Sequence, residues 1–174
     1  MLTLCVLLFS CGVLGEAVDD DQLYMHTWDF TTSIPELMHS LHHFVTSGKL
    51  LNLGISNTPA WIVPKANKYA HQKGLTPFSV YEGQWSAAER EIERDVLPMC
   101  EDEEMAMAPF SVLRMGYFKM RAQRKAGGKI RTSEKGRNVP FVDKPQKTVV
   151  AEALEKIAVA RSDGSISIAS VALT

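Results

Sequence analysis

Four short apolar runs, each ending on a polar residue, are spaced along this chain by stretches with helical periodicity. Leu23-Tyr24-Met25 ends in His26-Thr27-Trp28-Asp29, and Leu50-Leu51-Asn52-Leu53-Gly54-Ile55 ends in Ser56-Asn57. Phe78-Ser79-Val80-Tyr81 ends at Glu82, and a run over 105–108 ends near Ala108-Pro109-Phe110-Ser111. Apolar strands that alternate with helices need long crossovers, so they assemble into βα units around a parallel sheet. In such folds the C-terminal ends of the strands are where chemistry is kept.

The helical stretches have their own punctuation. Thr32 or Ser33 can cap a helix beginning at Ile34, with Pro35 in its first turn and Glu36 favourable to its dipole. Leu37, Leu41, Phe44 and Val45 recur at helical spacing until Ser47-Gly48-Lys49. A second helix starts after Thr58-Pro59-Ala60-Trp61, carries Ile62, Ala66 and Tyr69 on one face, and closes at Gly74. A third is expected from Ala87 to about Cys100, with Ile92, Val96, Leu97 and Met99 inward. The segment 119–147 is rich in Lys, Arg and Gly without apolar periodicity and reads as an exposed, mobile basic loop. Helical pattern resumes near Gln146, with Val150, Ala153, Leu154 and Ile157 inward.

Composition excludes several classes. A net charge of −1 gives no reason to invoke nucleic acid or an acidic membrane surface. Cys5, Cys11 and Cys100 make neither a disulfide framework nor a metal-ligand spacing, and Cys100 reads as a reduced thiol packed near a helix end. His39, His42 and His43 have the i, i+3/i+4 spacing of metal ligands, but no nearby Cys or carboxylate completes a site; no metal is expected. Residues 1–22 form an apolar N-terminal segment of uncertain status. Its first fifteen residues have the apolar length of a secretory signal but lack a basic start, so the favoured expectation is a cytoplasmic protein. The stretch is short for a membrane span.

Leu23 to Asp29, Gly54-Ile55-Ser56-Asn57, and Pro109 to Gly116 together resemble the aldo-keto reductases, in particular the fungal aryl-alcohol dehydrogenase and norsolorinic acid reductase group. Ser79 to Ser86 and Glu93 to Cys100 support the resemblance, which runs from about Leu23 to the end with motifs in the family's order. It implies an α/β fold, a partial (β/α)8 TIM barrel from about the fourth strand to the seventh helix (residues 23–174). It also implies NADP(H) as cofactor and a small-molecule carbonyl or alcohol as substrate, of aryl or polyketide-like type.

By the same resemblance, His26 matches the histidine that orients and polarises the carbonyl, with Trp28 beside it on the substrate side. Ser56 and Asn57 match the pair that holds the nicotinamide carboxamide. Glu82 stands where the family has a glutamine, and a carboxylate only accepts where the amide also donates. Gln84 is expected past the strand end, out of position to replace it. Phe110, Ser111, Val112 and Leu113 match the segment that cradles nicotinamide and pyrophosphate, and Arg114, Gly116 and Lys119 fall in the same phosphate-facing loop.

The family's tyrosine acid and its aspartate and lysine find no match in this sequence. Tyr24 is no replacement, because it lies inside the strand two residues before His26, on the same face but deeper. Without that acid, general-acid catalysis worth about 10²–10⁴-fold is lost, so the chain alone is expected to show no measurable reductase activity. Three readings follow: an NADP(H)-dependent reductase, a catalytically inactive remnant of one, or a binding module with a weak nucleotide site. A partial barrel leaves open sheet edges, which leaves collapse to a compact form or a homo-oligomer as the alternatives.

Overall fold

A computed structural model describes residues 6–9, 22–121, 129–131, 138–140, 145–161 and 166–173. The described chain divides into two compact units, one from Met1–Gly83 with Ile92–Ala108 and one from Gln84–Glu91 with Pro109–Thr174.

The first unit carries the expected alternation. Strand β1 (Val6–Phe9) is followed by β2 (Gln22–Met25), helix α1 (Ile34–Thr46), β3 (Asn52–Ser56), α2 (Val63–Lys73), β4 (Phe78–Gln84), α3 (Val96–Asp102) and β5 (Ala106–Phe110). The strands form one sheet in chain order, with β2–β3 and β3–β4 parallel. This is the parallel α/β architecture of a partial barrel. Strand β1 comes from the apolar N-terminal segment and pairs antiparallel with β2, Val6 opposite Met25. Residues 10–21 of that segment lie outside the described residues.

The helix ends follow from local chemistry. Ser33 caps α1 by accepting the Glu36 N–H, while Thr32 instead donates to Asp29. Gly74 ends α2 at φ +64°, donating its N–H to Ala70 and His71 carbonyls, a left-handed turn that costs glycine little. The outer face of the sheet, Leu23, Met25, Leu53, Ile55, Phe78 and Tyr81, is buried against Leu37, Met38 and Leu41 of α1 and Val63, Ala66 and Ala70 of α2. Each Leu, Ile, Val, Met or Phe side chain among them contributes about 1.5–3 kcal/mol on leaving water.

One irregularity sets the register. Leu53 pairs with Phe78, but Gly54 pairs with Val80, so Ser79 is an extra residue. Strict alternation from Phe78 would turn Glu82 toward the helices. The bulge instead leaves Tyr81 in the outer core and puts Val80 and Glu82 on the inner face, beside Gly54 and Ser56.

Three expectations need correction. No helix runs from Ala87: Ser86 and Glu89 exchange backbone hydrogen bonds in a tight turn, Glu91–Glu93 is a 3₁₀ turn, and α3 begins only at Val96. Strand β4 continues through Gln84, which is therefore a strand residue and not past its end. Strand β5 likewise runs on to Phe110.

The second unit contains a 3₁₀ turn (Arg114–Gly116), a hairpin of β6 (Lys129–Arg131) with β7 (Asn138–Pro140), and helices α4 (Pro145–Arg161) and α5 (Ile168–Leu173). The hairpin strands stand inside the segment expected to be a loop; the rest of 122–144 lies outside the described residues. Phe118, Ala151, Leu154, Ala158 and Ile168 form the core of this unit. The buried stripe of α4 is thus rotated from the one expected: Ala153 and Ile157 are exposed and Ala151 and Ala158 are buried. Apolar residues occur on most sides of α4, so periodicity alone admits more than one inward face. Among the described residues no helix is long and apolar enough to cross a membrane.

Candidate active site

At the C-terminal ends of β2, β3 and β4, the first unit gathers His26, Ser56, Asn57 and Glu82. Asn57 follows β3 at φ +46°, a left-handed backbone that asparagine tolerates better than most residues. From there its amide donates to the His26 carbonyl at 3.2 Å and reaches His26 Nε2 at 3.4 Å. His26 Nδ1 lies 3.3 Å from Thr27 Oγ1. The imidazole is thereby held from both sides.

Behind this pair sits a second network. The Tyr81 hydroxyl donates to the Thr58 carbonyl at 2.8 Å and accepts the Thr58 N–H at 3.2 Å, while Thr58 Oγ1 donates to the Ser56 carbonyl at 3.0 Å. These bonds fix the backbone that follows Ser56 and Asn57. Burial pushes the Tyr81 phenol up, so it stays a donor. Asn67, in the otherwise apolar stripe of α2, accepts the Phe78 N–H at 2.9 Å and donates to its carbonyl at 3.3 Å, which pins the start of β4.

Burial pushes the Glu82 carboxyl up, and the nearby His26 partly offsets this. Tyr24 is raised as well, first by burial and then by Glu82. The Tyr24 ring covers Gly54 so closely that a Cβ there would stand 2.5 Å from Cδ1, and its hydroxyl donates to Gln22 at 3.3 Å. Tyr24 thus lies on the inner face below His26, as its spacing implies. Trp28 packs partly buried against the outer core, and Phe30 is exposed. Asp29 organises the loop after Trp28, with the Thr31 N–H, the Thr31 hydroxyl and the Thr32 hydroxyl holding its carboxyl below the usual range.

In the second unit, Phe110, Ser111, Val112, Leu113, Arg114, Gly116 and Lys119 form a tight turn. Ser111 and Arg114 have φ of +59° and +51°, Gly116 has +85°, and the Arg114 N–H donates to the Ser111 carbonyl at 2.8 Å. The buried Arg114 guanidinium pairs with Glu89 at 2.7 Å. Sequence reasoning missed Glu89 and Asn67. A polar residue in an apolar helical stripe signals Asn67; nothing local singles out Glu89, which depends on a tertiary turn.

Two buried hydroxyls, Ser56 Oγ and Ser111 Oγ, have no hydrogen-bond partner among the described residues. Buried polar atoms without partners are costly, and both lie at positions expected to meet a ligand. Each hydroxyl, taken within its own unit, fits a ligand group that would supply the missing partner. Among the described residues no cluster of His, Cys, Asp or Glu can hold a metal ion. His42 Nδ1 accepts the Thr76 N–H, and His39 meets the Tyr69 hydroxyl.

A βα sheet with a histidine, an Asn amide and a carboxylate converging at its strand ends defines a barrel-type α/β protein with a polar cluster at the C-terminal ends of its strands. The chain belongs to the aldo/keto reductase family, whose model matches residues 16–174. It is 46% identical over 151 residues to norsolorinic acid reductase B of Dothistroma septosporum, covering 86% of this chain and 37% of that protein. It is 60% identical over 99 residues to norsolorinic acid reductase A of Aspergillus parasiticus, covering 57% of this chain and 26% of that protein. It is 45% identical over 157 residues to the NADP(+) aryl-alcohol dehydrogenase of Phanerodontia chrysosporium, covering 88% of this chain and 40% of that protein. The chain thus spans two fifths or less of the length of these relatives.

Proposed function

We propose that this chain supplies the carbonyl-orienting histidine and the nicotinamide-side contacts of an NADP(H)-dependent reductase acting on an aryl or polyketide-like aldehyde or ketone. The convergence of His26, Asn57 and the unpartnered Ser56 hydroxyl at neighbouring strand ends carries this reading. The names of the relatives, norsolorinic acid reductase and aryl-alcohol dehydrogenase, support the substrate class.

When bound, the nicotinamide supplies or accepts the hydride. His26 presents a ring nitrogen to the carbonyl oxygen, and its N–H stabilises negative charge that develops there. Asn57 turns between holding the imidazole and holding a ligand amide. Ser56 Oγ gains a partner, and Ser111, Leu113, Gly116 and Lys119 line the turn for the phosphates. Arg114 acts there through its buried pair with Glu89, as a fixed brace for the turn.

A second reading, cofactor binding without turnover, draws on Tyr24. Its phenol donates to Gln22 and is raised by burial, so it is unsuited to give a proton to a substrate.

Fluorescence titration with NADPH tests the cofactor contacts, and reduction of an aromatic aldehyde tests turnover. Saturable binding with turnover lost in His26→Ala upholds the first reading. Binding without turnover leaves the second, and absence of binding removes both.

A further inference from the structure

Glu82 brings a charge to a position where the proposed ligand changes its own charge. The bulge at Ser79 turns this carboxylate to the inner face, opposite Ser56 and beside His26. The titratable groups that face it among the described residues are Tyr24 on β2 and His26 directly after that strand. Strand β3 presents Gly54 and Ser56 there, followed by Asn57, and β5 carries no ionisable side chain.

We propose that Glu82 is a specificity-determining residue that makes this site distinguish the oxidised from the reduced nicotinamide cofactor, and does so as a function of pH. The inference rests on the cofactor reading above. An oxidised nicotinamide ring is cationic, and a reduced one is neutral. A carboxylate in a partly desolvated strand-end site attracts the first and costs desolvation against the second. An amide in the same place would treat the two nearly alike on charge.

Protonation decides when the effect operates. Because burial holds the Glu82 carboxyl above the ordinary range, it takes up its proton at higher pH than a solvated carboxylate does. As pH rises through its pKa the carboxylate forms and the preference for the oxidised form grows. By linkage, binding the oxidised form expels the Glu82 proton and binding the reduced form retains it. The cofactor phosphates also titrate, but they are common to both forms and cancel in the ratio of affinities.

The experiment is equilibrium binding of NADP+ and NADPH to the full chain across mildly acidic to mildly alkaline buffer, with Glu82→Gln and Glu82→Asp alongside. Circular dichroism checks that each variant is folded. We expect the Kd ratio of wild type to move by on the order of tenfold toward NADP+ as pH rises. Glu82→Gln should flatten that dependence and bind NADPH more tightly, while Glu82→Asp should keep the dependence. A wild-type ratio that does not change with pH overturns the inference while leaving the cofactor reading standing. So does a Glu82→Gln ratio that still changes like wild type. If neither form binds wild type or variants, the inference falls together with the cofactor reading.

Discussion

Asn57 does two jobs that strain would normally set against each other. It turns the chain out of β3 through a left-handed residue and uses the resulting direction to reach back to His26. Replacing it with alanine removes both the amide bonds and the tolerance for positive φ. Asn57→Ala should therefore lower stability by about 1–3 kcal/mol, and Asn57→Gly by less, as read from urea midpoints. Cys100 makes a separate test of the core. It is buried, and burial raises its thiol above the usual value, so little thiolate is presented to reagent. In a Cys5→Ser, Cys11→Ser background, alkylation should be slow in native buffer and become fast only on unfolding. The identities of these residues were legible in the sequence, down to the burial of Cys100. Their bonds were not, because a bond such as Asn57 to His26 spans thirty-one positions and depends on the register of two strands.

Among elements, β4 shows most clearly how local pattern and tertiary context divide the work. Its alternation marks a strand, yet its start is fixed by Asn67 from α2 and its facing by an extra residue opposite β3. Asn67→Ala leaves the Phe78 N–H and carbonyl without their partner in a buried place, and should cost about 1–3 kcal/mol in chemical denaturation. Asn67→Asp, which keeps the acceptor but buries a charge, should be at least as costly near neutral pH and should recover stability as pH falls and the carboxyl protonates. The capped starts and glycine stops of α1 and α2 were readable because those signals are local. The expected helix from Ala87 failed because the Ser86–Glu89 turn competes for the same backbone groups, and β4 and β5 ran longer than their apolar cores suggest. In α4, side chains are apolar on too many sides for spacing to select the buried one.

At the scale of the whole molecule, the parallel α/β alternation and the family were legible from four strand ends alone, since the order and spacing of such motifs survive errors at element boundaries. The arrangement of sheet edges was not, because it depends on which strand takes the outside place. Strand β5 has a strand neighbour on one side only among the described residues, and Pro109 blunts this edge only in part, by removing one donor. Sedimentation velocity should show mass rising from monomer toward dimer with concentration, since an edge of this kind invites another copy; concentration-independent monomer would contradict it. The extra residue at Ser79 has one more implication, for how such a site can change over generations. Loss of that single codon would keep the reading frame and the strand. It would also keep the two rows beyond it, because Val80 would then follow Phe78 in unbroken alternation, with the Tyr81 phenol still among the helices and the Glu82 carboxylate still on the ligand side. A three-base deletion there would thus smooth the strand and spare the chemistry of the pocket.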